Sequence, residues 1–470
     1  MVFASLFFIY VFLPVQLLLY FSTRSHRIRN LSLLSMSLLF YSWGEPIYIS
    51  LLLLSGTVDF LLGMYIEDNA GTSKAKRGLT ASMVFNLSLL GVFKYYDFFL
   101  DAINQAASTN LPLAHIALPL GISFFTFQTM SYTIDVYRGD VKASRSYLDF
   151  LTFVTLFHQL VAGPIVRFRD LSDRIRERTV ESNEFLDGVH RFCVGLAKKV
   201  VFANTAGALV ESVMGGQFTD VSFGTAWLVA VLYGFQIYFD FSGYSDMAIG
   251  LGKMAGFRYL ENFRHPFMAS SVREFWRRWH ISLMTFFRDY LYIPLGGNRH
   301  HWLRNIFIVW ALTGLWHGAS WNYVIWGLYF GVVMIVEVTI LKRPLERSPR
   351  WLMHLYLWVI MTLSWPTLFY EDLGQMIAYF QTMFTVGGKG ILCMTGQQIL
   401  MENAFWFVAC IMCLFPFREH LIARLRQSKP NQPRTHGSFL LEQALNICLL
   451  ALSTALLVGD TYNPFFYFRF

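Results

Sequence analysis

Two histidines set in tryptophan-rich, apolar sequence are the residues of this chain with the strongest chemical signal. His317 lies in "LTGLWHGASWNYVIWG", Leu312–Gly327. An ionisable ring at membrane depth is costly and normally faces a cavity or a partner, so it reads first as a functional group. Gly314, Gly318, Ala319 and Ser320 around it are small enough to let a helix or a substrate approach the ring. Burial disfavours a charged imidazole, and the neutral form is what a general base needs to take a proton from an alcohol. The competing reading is a structural histidine whose hydrogen bonds are met within the protein.

His280, in "REFWRRWHISL", has Arg277 and Arg278 beside it, and these cations disfavour its protonated form. It belongs to a segment, 265–301, that mixes five arginines between Arg273 and Arg299 with Phe275, Trp276, Trp279, Phe286, Phe287, Tyr290 and Tyr292. That composition predicts an amphipathic helix at the cytoplasmic interface. A basic aromatic platform of this kind suits an anionic ligand. A belt of arginine and tryptophan snorkelling to lipid head groups gives the same composition. The donor-binding candidates are Arg273, Trp276, Arg277, Arg278, Trp279, Arg288, Tyr290 and Asn298, with Trp316 and Trp321 flanking His317.

Asp240 and Asp246 sit in the apolar stretch 232–263. Six residues apart, they fall on different faces of a continuous helix and do not form an acid/base pair. Gly243 and the neighbouring serines predict a break there, and structural and catalytic roles both stay open. Asp59 and Lys94 read as single charges held by a buried partner or placed near an interface.

The elements that must position these groups are membrane helices. Of 470 residues, 55% are hydrophobic and only 14% charged, against about 25% charged in soluble domains. The chain is an all-α, multi-pass integral membrane protein. Runs long enough to cross the bilayer, at ~20 residues each, fall at 3–21, 31–43 continuing into 46–66, 79–99, 147–166, 188–214, 225–251, 303–320, 322–341, 351–370, 404–417 and 439–458, about eleven crossings. Two stretches are interrupted: 111–137 by Pro112, Pro119 and Gly121, and 158–170 by Gly163 and Pro164. Non-helical backbone at membrane depth survives only where protein or a water-filled cavity satisfies it, so both are expected to be re-entrant pieces lining a chamber. Residues 1–470 read as one membrane domain with a motif-rich core at 110–335.

The net charge of +8 is concentrated in connecting segments: 23–30, 74–77, 138–145, 341–350 and 418–434. This placement argues against the stripe of a nucleic-acid binder; the first two of these loops, two spans apart, fall on one face, which the positive-inside rule makes cytoplasmic with the N-terminus outside. The five cysteines are scattered, and Cys410 and Cys413 have no second Cys/His pair near them, so they read as helix packing and no metal is expected. No P-loop, dinucleotide-binding glycine motif, HExxH or GxSxG is present.

Taken together, "LPLGISFFTFQTMSYTIDVYRG", "QLVAGPIVRF", "GLAKKVVFAN", "QIYFDFSGYSDMAIGLGKMAGF", "ENFRHPFMASSVREFWRRWHISLMTFFRDYLYIPLGGNR", "GLWHGASWNYVIWG" and the closing "YNPFFYFRF" resemble the bacterial membrane-bound O-acyltransferases (MBOAT family), in their alginate O-acetyltransferase branch. By that resemblance His317 matches the family's essential histidine and His280 the second histidine of its active-site region. The implied fold is an MBOAT-type ring of tilted helices, with interfacial and re-entrant pieces, around a tunnel reaching the histidine from both faces. The sequence departs from the branch at His158, where proline is usual, and at "LSWPTLFYEDLG" after the span 351–370.

The resemblance implies a multi-pass protein of the bacterial inner membrane that moves acetyl groups to an exported polysaccharide such as alginate, and both termini are expected outside. His317 would be the general base. Acetyl-CoA is the expected cytoplasmic donor, a substrate rather than a bound cofactor, drawn by its anionic phosphates to the basic platform. The expected partners are the lipid bilayer, an extracytoplasmic acetyltransferase and the polysaccharide export machinery. Three alternatives stand beside this: D-alanyl transfer to teichoic acid from an acyl carrier protein, a proton-coupled transporter or flippase, and a non-catalytic scaffold of an export complex.

Overall fold

The computed structural model describes residues 1–161, 163–216, 221–386, 390–416 and 436–459. The basic segment 418–434 and the terminal "YNPFFYFRF" lie outside the described residues. Every regular element among the described residues is helical. Six helices are long and apolar enough to cross a membrane: Ile49–Asp68, Ser73–Ala107, Ser182–Met214, Trp321–Arg347, Arg350–Phe369 and Phe439–Gly459. The pair Met394–Glu402 and Ala404–Leu414, bent by 69°, makes a seventh if it is one span. Other expected crossings correspond to shorter helices, such as His26–Ser42, Tyr147–Thr155 and Trp302–His317. Phe223–Met254 is long but carries Gln236, Asp240, Ser242, Ser245 and Asp246.

Packing divides the chain into two compact units, Met1–Phe192 with Tyr244–Leu260, and Cys193–Gly243 with Glu261–Phe470. In the first, the helices Ile49–Asp68, Ser73–Leu90 and Ile122–Arg138 enclose a polar cluster. Asp59, wholly buried, accepts hydrogen bonds from Ser82 Oγ and Asn86 Nδ2, both at 2.6 Å, and Ser82 lies 2.9 Å from Thr133 Oγ1. Lys94 donates to Ser123 Oγ at 3.2 Å. The two interrupted stretches meet here. Gly121 has φ 73°, and a Cβ on it would fall 2.6 Å from the Leu160 carbonyl, so only glycine both turns the chain and permits this approach.

Two expectations are corrected. Phe223–Met254 runs unbroken through Gly243. The glycine serves contact instead: a Cβ there would lie 2.7 Å from the Gly195 carbonyl. The segment 265–301 is not one interfacial helix. It folds as short pieces, Pro266–Met268, Val272–Arg278, Ile281–Phe287 and Arg288–Tyr292. His265 and His280 take left-handed backbone, φ 46° and 45°: His265 leads into Pro266–Met268, and His280 separates Val272–Arg278 from Ile281–Phe287. Phe275, Trp276 and Trp279 are buried in the second unit, so the aromatic face packs on protein rather than lipid.

Candidate active site

His317 is the last residue of the helix Trp302–His317, and Gly318 turns the chain in extended conformation toward Trp321–Val336. The two helices approach closely because Gly314 and Gly327 offer no side chain. A Cβ on Gly314 would collide with the Tyr323 carbonyl, and one on Gly327 with the Trp310 carbonyl. This tight hairpin fixes His317, 8% exposed, edge-on between the rings of Trp316 and Trp326, each centred 4.9 Å away.

His280 is 1% exposed and occupies the left-handed junction between Val272–Arg278 and Ile281–Phe287. That junction is tied down by backbone bonds across the segment: Ile281 N–H donates to the Asn262 carbonyl at 3.0 Å and Arg264 N–H to the Arg278 carbonyl at 2.9 Å. Its ring stands edge-on to Phe241 at 4.6 Å and lies 5.7 Å from Trp316. Trp316 therefore touches both histidines. Burial, and secondarily the neighbouring His317, hold the His280 imidazole well below the ordinary histidine range, which keeps it neutral at physiological pH. The two imidazoles thus share a desolvated site with aromatic walls, suited to proton transfer without bulk water.

The other expected residues divide. Trp276 stacks edge-on to Trp326 at 5.6 Å and so backs the His317 wall. Its indole N–H and that of Trp326 are buried without a hydrogen-bond partner among the described residues. Trp279 packs elsewhere, 5.9 Å from both Tyr238 and Trp365. Arg273 and Arg277 are exposed and make no ion pair among the described residues, whereas Arg278 pairs with Glu274 at 2.5 Å and Arg288 with Asp289 at 2.7 Å. Tyr290 lies on Phe286 at 4.8 Å, Asn298 accepts from Tyr292 Oη at 2.6 Å, and Trp321 is 48% exposed.

Asp240 and Asp246 are held in ion pairs, with Lys199 at 2.7 Å and Arg191 at 2.9 Å, each within a different unit. Sequence reasoning assigned no role to three residues the structure places in or under the site. Phe241 faces His280, and Asn262 bonds it. Glu337, buried, accepts from the backbone N–H groups of Val272 at 2.7 Å and Arg273 at 3.0 Å. It caps the helix that leads into His280, satisfying donors that a helix start leaves unpaired. Asn262 stood inside a recognised motif, but nothing in its spacing indicated a target. Glu337 was legible only as an acid inside an apolar run.

Residues 89–343 match the model of the MBOAT, membrane-bound O-acyltransferase, family. Over 100% of both chains, the protein is 36% identical to the "Probable alginate O-acetylase AlgI" of Azotobacter vinelandii. It is 43% identical to the protein of the same name from Pseudomonas aeruginosa, over 82% of this chain and 75% of that one. It is 36% identical to the "Peptidoglycan O-acetyltransferase" of Helicobacter pylori, over 70% of this chain and 69% of that one. With a full-length relative and a family match covering both histidines, this multi-pass membrane chain belongs to the membrane-bound O-acyltransferase family.

Proposed function

We propose that this O-acyltransferase moves acetyl groups from cytoplasmic acetyl-CoA to hydroxyls of an exported polysaccharide, alginate or a polymer of that kind, with His317 as general base. The observation that carries it is the buried two-histidine site inside the family-matched region of a chain similar along its whole length to an alginate O-acetylase. His317 takes the hydroxyl proton as the oxygen forms a bond to the thioester carbon. The resulting oxyanion collapses, the C–S bond breaks with its electrons on sulfur, and the thiolate takes the proton back from His317. The unpartnered indole N–H groups of Trp276 and Trp326 lie beside this wall as donors for a developing negative charge. Exposed Arg273 and Arg277 offer the donor's phosphates uncommitted cations.

Transfer from an inside donor to an outside polymer needs a site reached from both faces. The reading therefore includes the ring of about eleven crossings around a tunnel, in the bacterial inner membrane, with both termini outside. An extracytoplasmic acetyltransferase would take the acetyl group from this chain and place it on the sugar.

The test is transfer of labelled acetyl from acetyl-CoA by the full chain in liposomes, with an extracytoplasmic extract or alginate as acceptor. Wild type is expected to turn over and His317→Ala to lose about 10²- to 10⁴-fold, the span of general-base catalysis. A His317→Ala protein as active as wild type overturns the base assignment. No turnover by folded wild type overturns acetyl-CoA as donor and favours a carrier-protein donor.

A further inference from the structure

Asn262 and His280 lie in the same compact unit and meet through their side chains as well as through the Ile281 backbone bond. The Asn262 Oδ1 atom lies 3.2 Å from His280 Nδ1, 3.2 Å from the Ser282 backbone nitrogen and 2.9 Å from Ser282 Oγ. A backbone N–H only donates, so the atom that Ser282 meets is the amide oxygen and not the amide nitrogen. An amide oxygen only accepts, so His280 Nδ1 carries the ring's proton. A neutral imidazole has one such proton, which leaves Nε2 with a lone pair. Asn262 is fully buried, and no bulk water competes for the arrangement.

We propose that Asn262 is a positioning residue that locks His280 in its Nδ1–H tautomer, so that His280 meets the reacting groups as a hydrogen-bond or proton acceptor at Nε2. This rests on the reading of His280 as part of the acyl-transfer site and deepens it. A neutral His280 held this way does not donate to the oxyanion, and that charge falls to other N–H groups. The left-handed backbone at His280, its edge-on contact with Phe241 and its tilted contact with Trp316 fix the ring plane, and Asn262 fixes which nitrogen is bare.

Two measurements on the full chain test it. Solid-state NMR of membrane-embedded protein labelled with ¹⁵N-histidine reads the tautomer directly, the His280 signals being those lost in His280→Gln. The wild type is expected to show a protonated Nδ1 and a bare Nε2, and Asn262→Leu to gain the Nε2–H form. Kinetics is the second. Asn262→Leu is expected to lower kcat at least about tenfold while the donor KM stays within about twofold, as when a histidine loses control of its tautomer. Asn262→Asp keeps the acceptor but adds a negative charge that favours imidazolium, so the acidic limb of its kcat profile should move up by about one pH unit.

An Nε2–H signal from wild-type His280 overturns the proposal. So does a folded Asn262→Leu protein whose tautomer and pH profile match the wild type, whatever its kcat, since that would be a purely structural role. The NMR arm needs no acyl donor. A protein that fails to use acetyl-CoA but shows the expected tautomers would sink the donor assignment and leave this one standing.

Discussion

Lys199 Nζ and Asp240 Oδ1 meet at 2.7 Å with both side chains only 2% exposed. Charges taken out of water are costly, and breaking such a pair by removing one partner leaves the other uncompensated. Asp240→Leu or Lys199→Met alone should therefore destabilise the protein by about 3–5 kcal/mol, while the double variant recovers most of the loss. Thermal unfolding in detergent micelles checks this, and additive losses in the double variant would argue against it. Asp240 adjoins Phe241, which packs on His280, so the single variants should also lose turnover. At this scale His317 was legible because a lone ionisable ring among small residues in an apolar run is costly unless a cavity or a partner receives it. Asn262 was not. Its role comes from one oxygen that serves a ring eighteen residues further along the chain and a hydroxyl twenty residues along, and no periodicity encodes that.

The site histidines are placed by short elements, and their precision comes from absent side chains as much as from present ones. Gly327 lies against the Trp310 carbonyl, and Gly314 against the Tyr323 carbonyl. A β-branched side chain at Gly327 must push Trp302–His317 away from Trp321–Val336 and carry His317 with it. Gly327→Val should cost about 1–3 kcal/mol by overpacking, and a displacement of the base by about an ångström should cost turnover about 10²-fold. Acetyl transfer measured beside the melting temperature checks both, and unchanged activity in a folded Gly327→Val protein would show that the hairpin does not set the base. The helices flanking this hairpin were legible from length and apolarity. The broken architecture of 265–301 was not: histidine is enriched at positive φ, but only a few per cent of non-glycine residues adopt it, so the type alone did not mark His265 and His280 as left-handed turns. The same is true of Gly243, whose helix-breaking reputation gave the wrong expectation where its use is close approach.

Across the molecule, charge placement and hydrogen bonds in the first unit independently sort the loops. Arg145 reaches Glu67 at 2.5 Å and Asp68 at 2.7 Å, which brings 139–146 to the end of Ile49–Asp68 that leads into 69–72. Asn30 donates to Asp149 Oδ1 at 2.8 Å, adding the start of His26–Ser42 to the same end. The three basic segments 23–30, 74–77 and 138–145 thus gather together. At the other end, Tyr41 Oη donates to the Leu120 carbonyl at 2.9 Å, joining the 43–48 connection to 108–121, and neither of these connections contains lysine or arginine. Across these helices of the first unit, one end therefore gathers basic segments and the other connections without lysine or arginine, and the positive-inside rule gives the expectation that the basic end faces the cytoplasm. Lys76 and Asn110 are exposed at the opposite ends of Ser73–Ala107. In a background where the cysteines that are not buried, Cys393, Cys413 and Cys448, are serine, a membrane-impermeant maleimide added to right-side-out vesicles should label Asn110→Cys. Lys76→Cys should react only after the vesicles are opened. The reverse pattern would put the basic face outside, leave Arg273 and Arg277 without their expected side for acetyl-CoA, and require the direction of acyl movement to be redrawn.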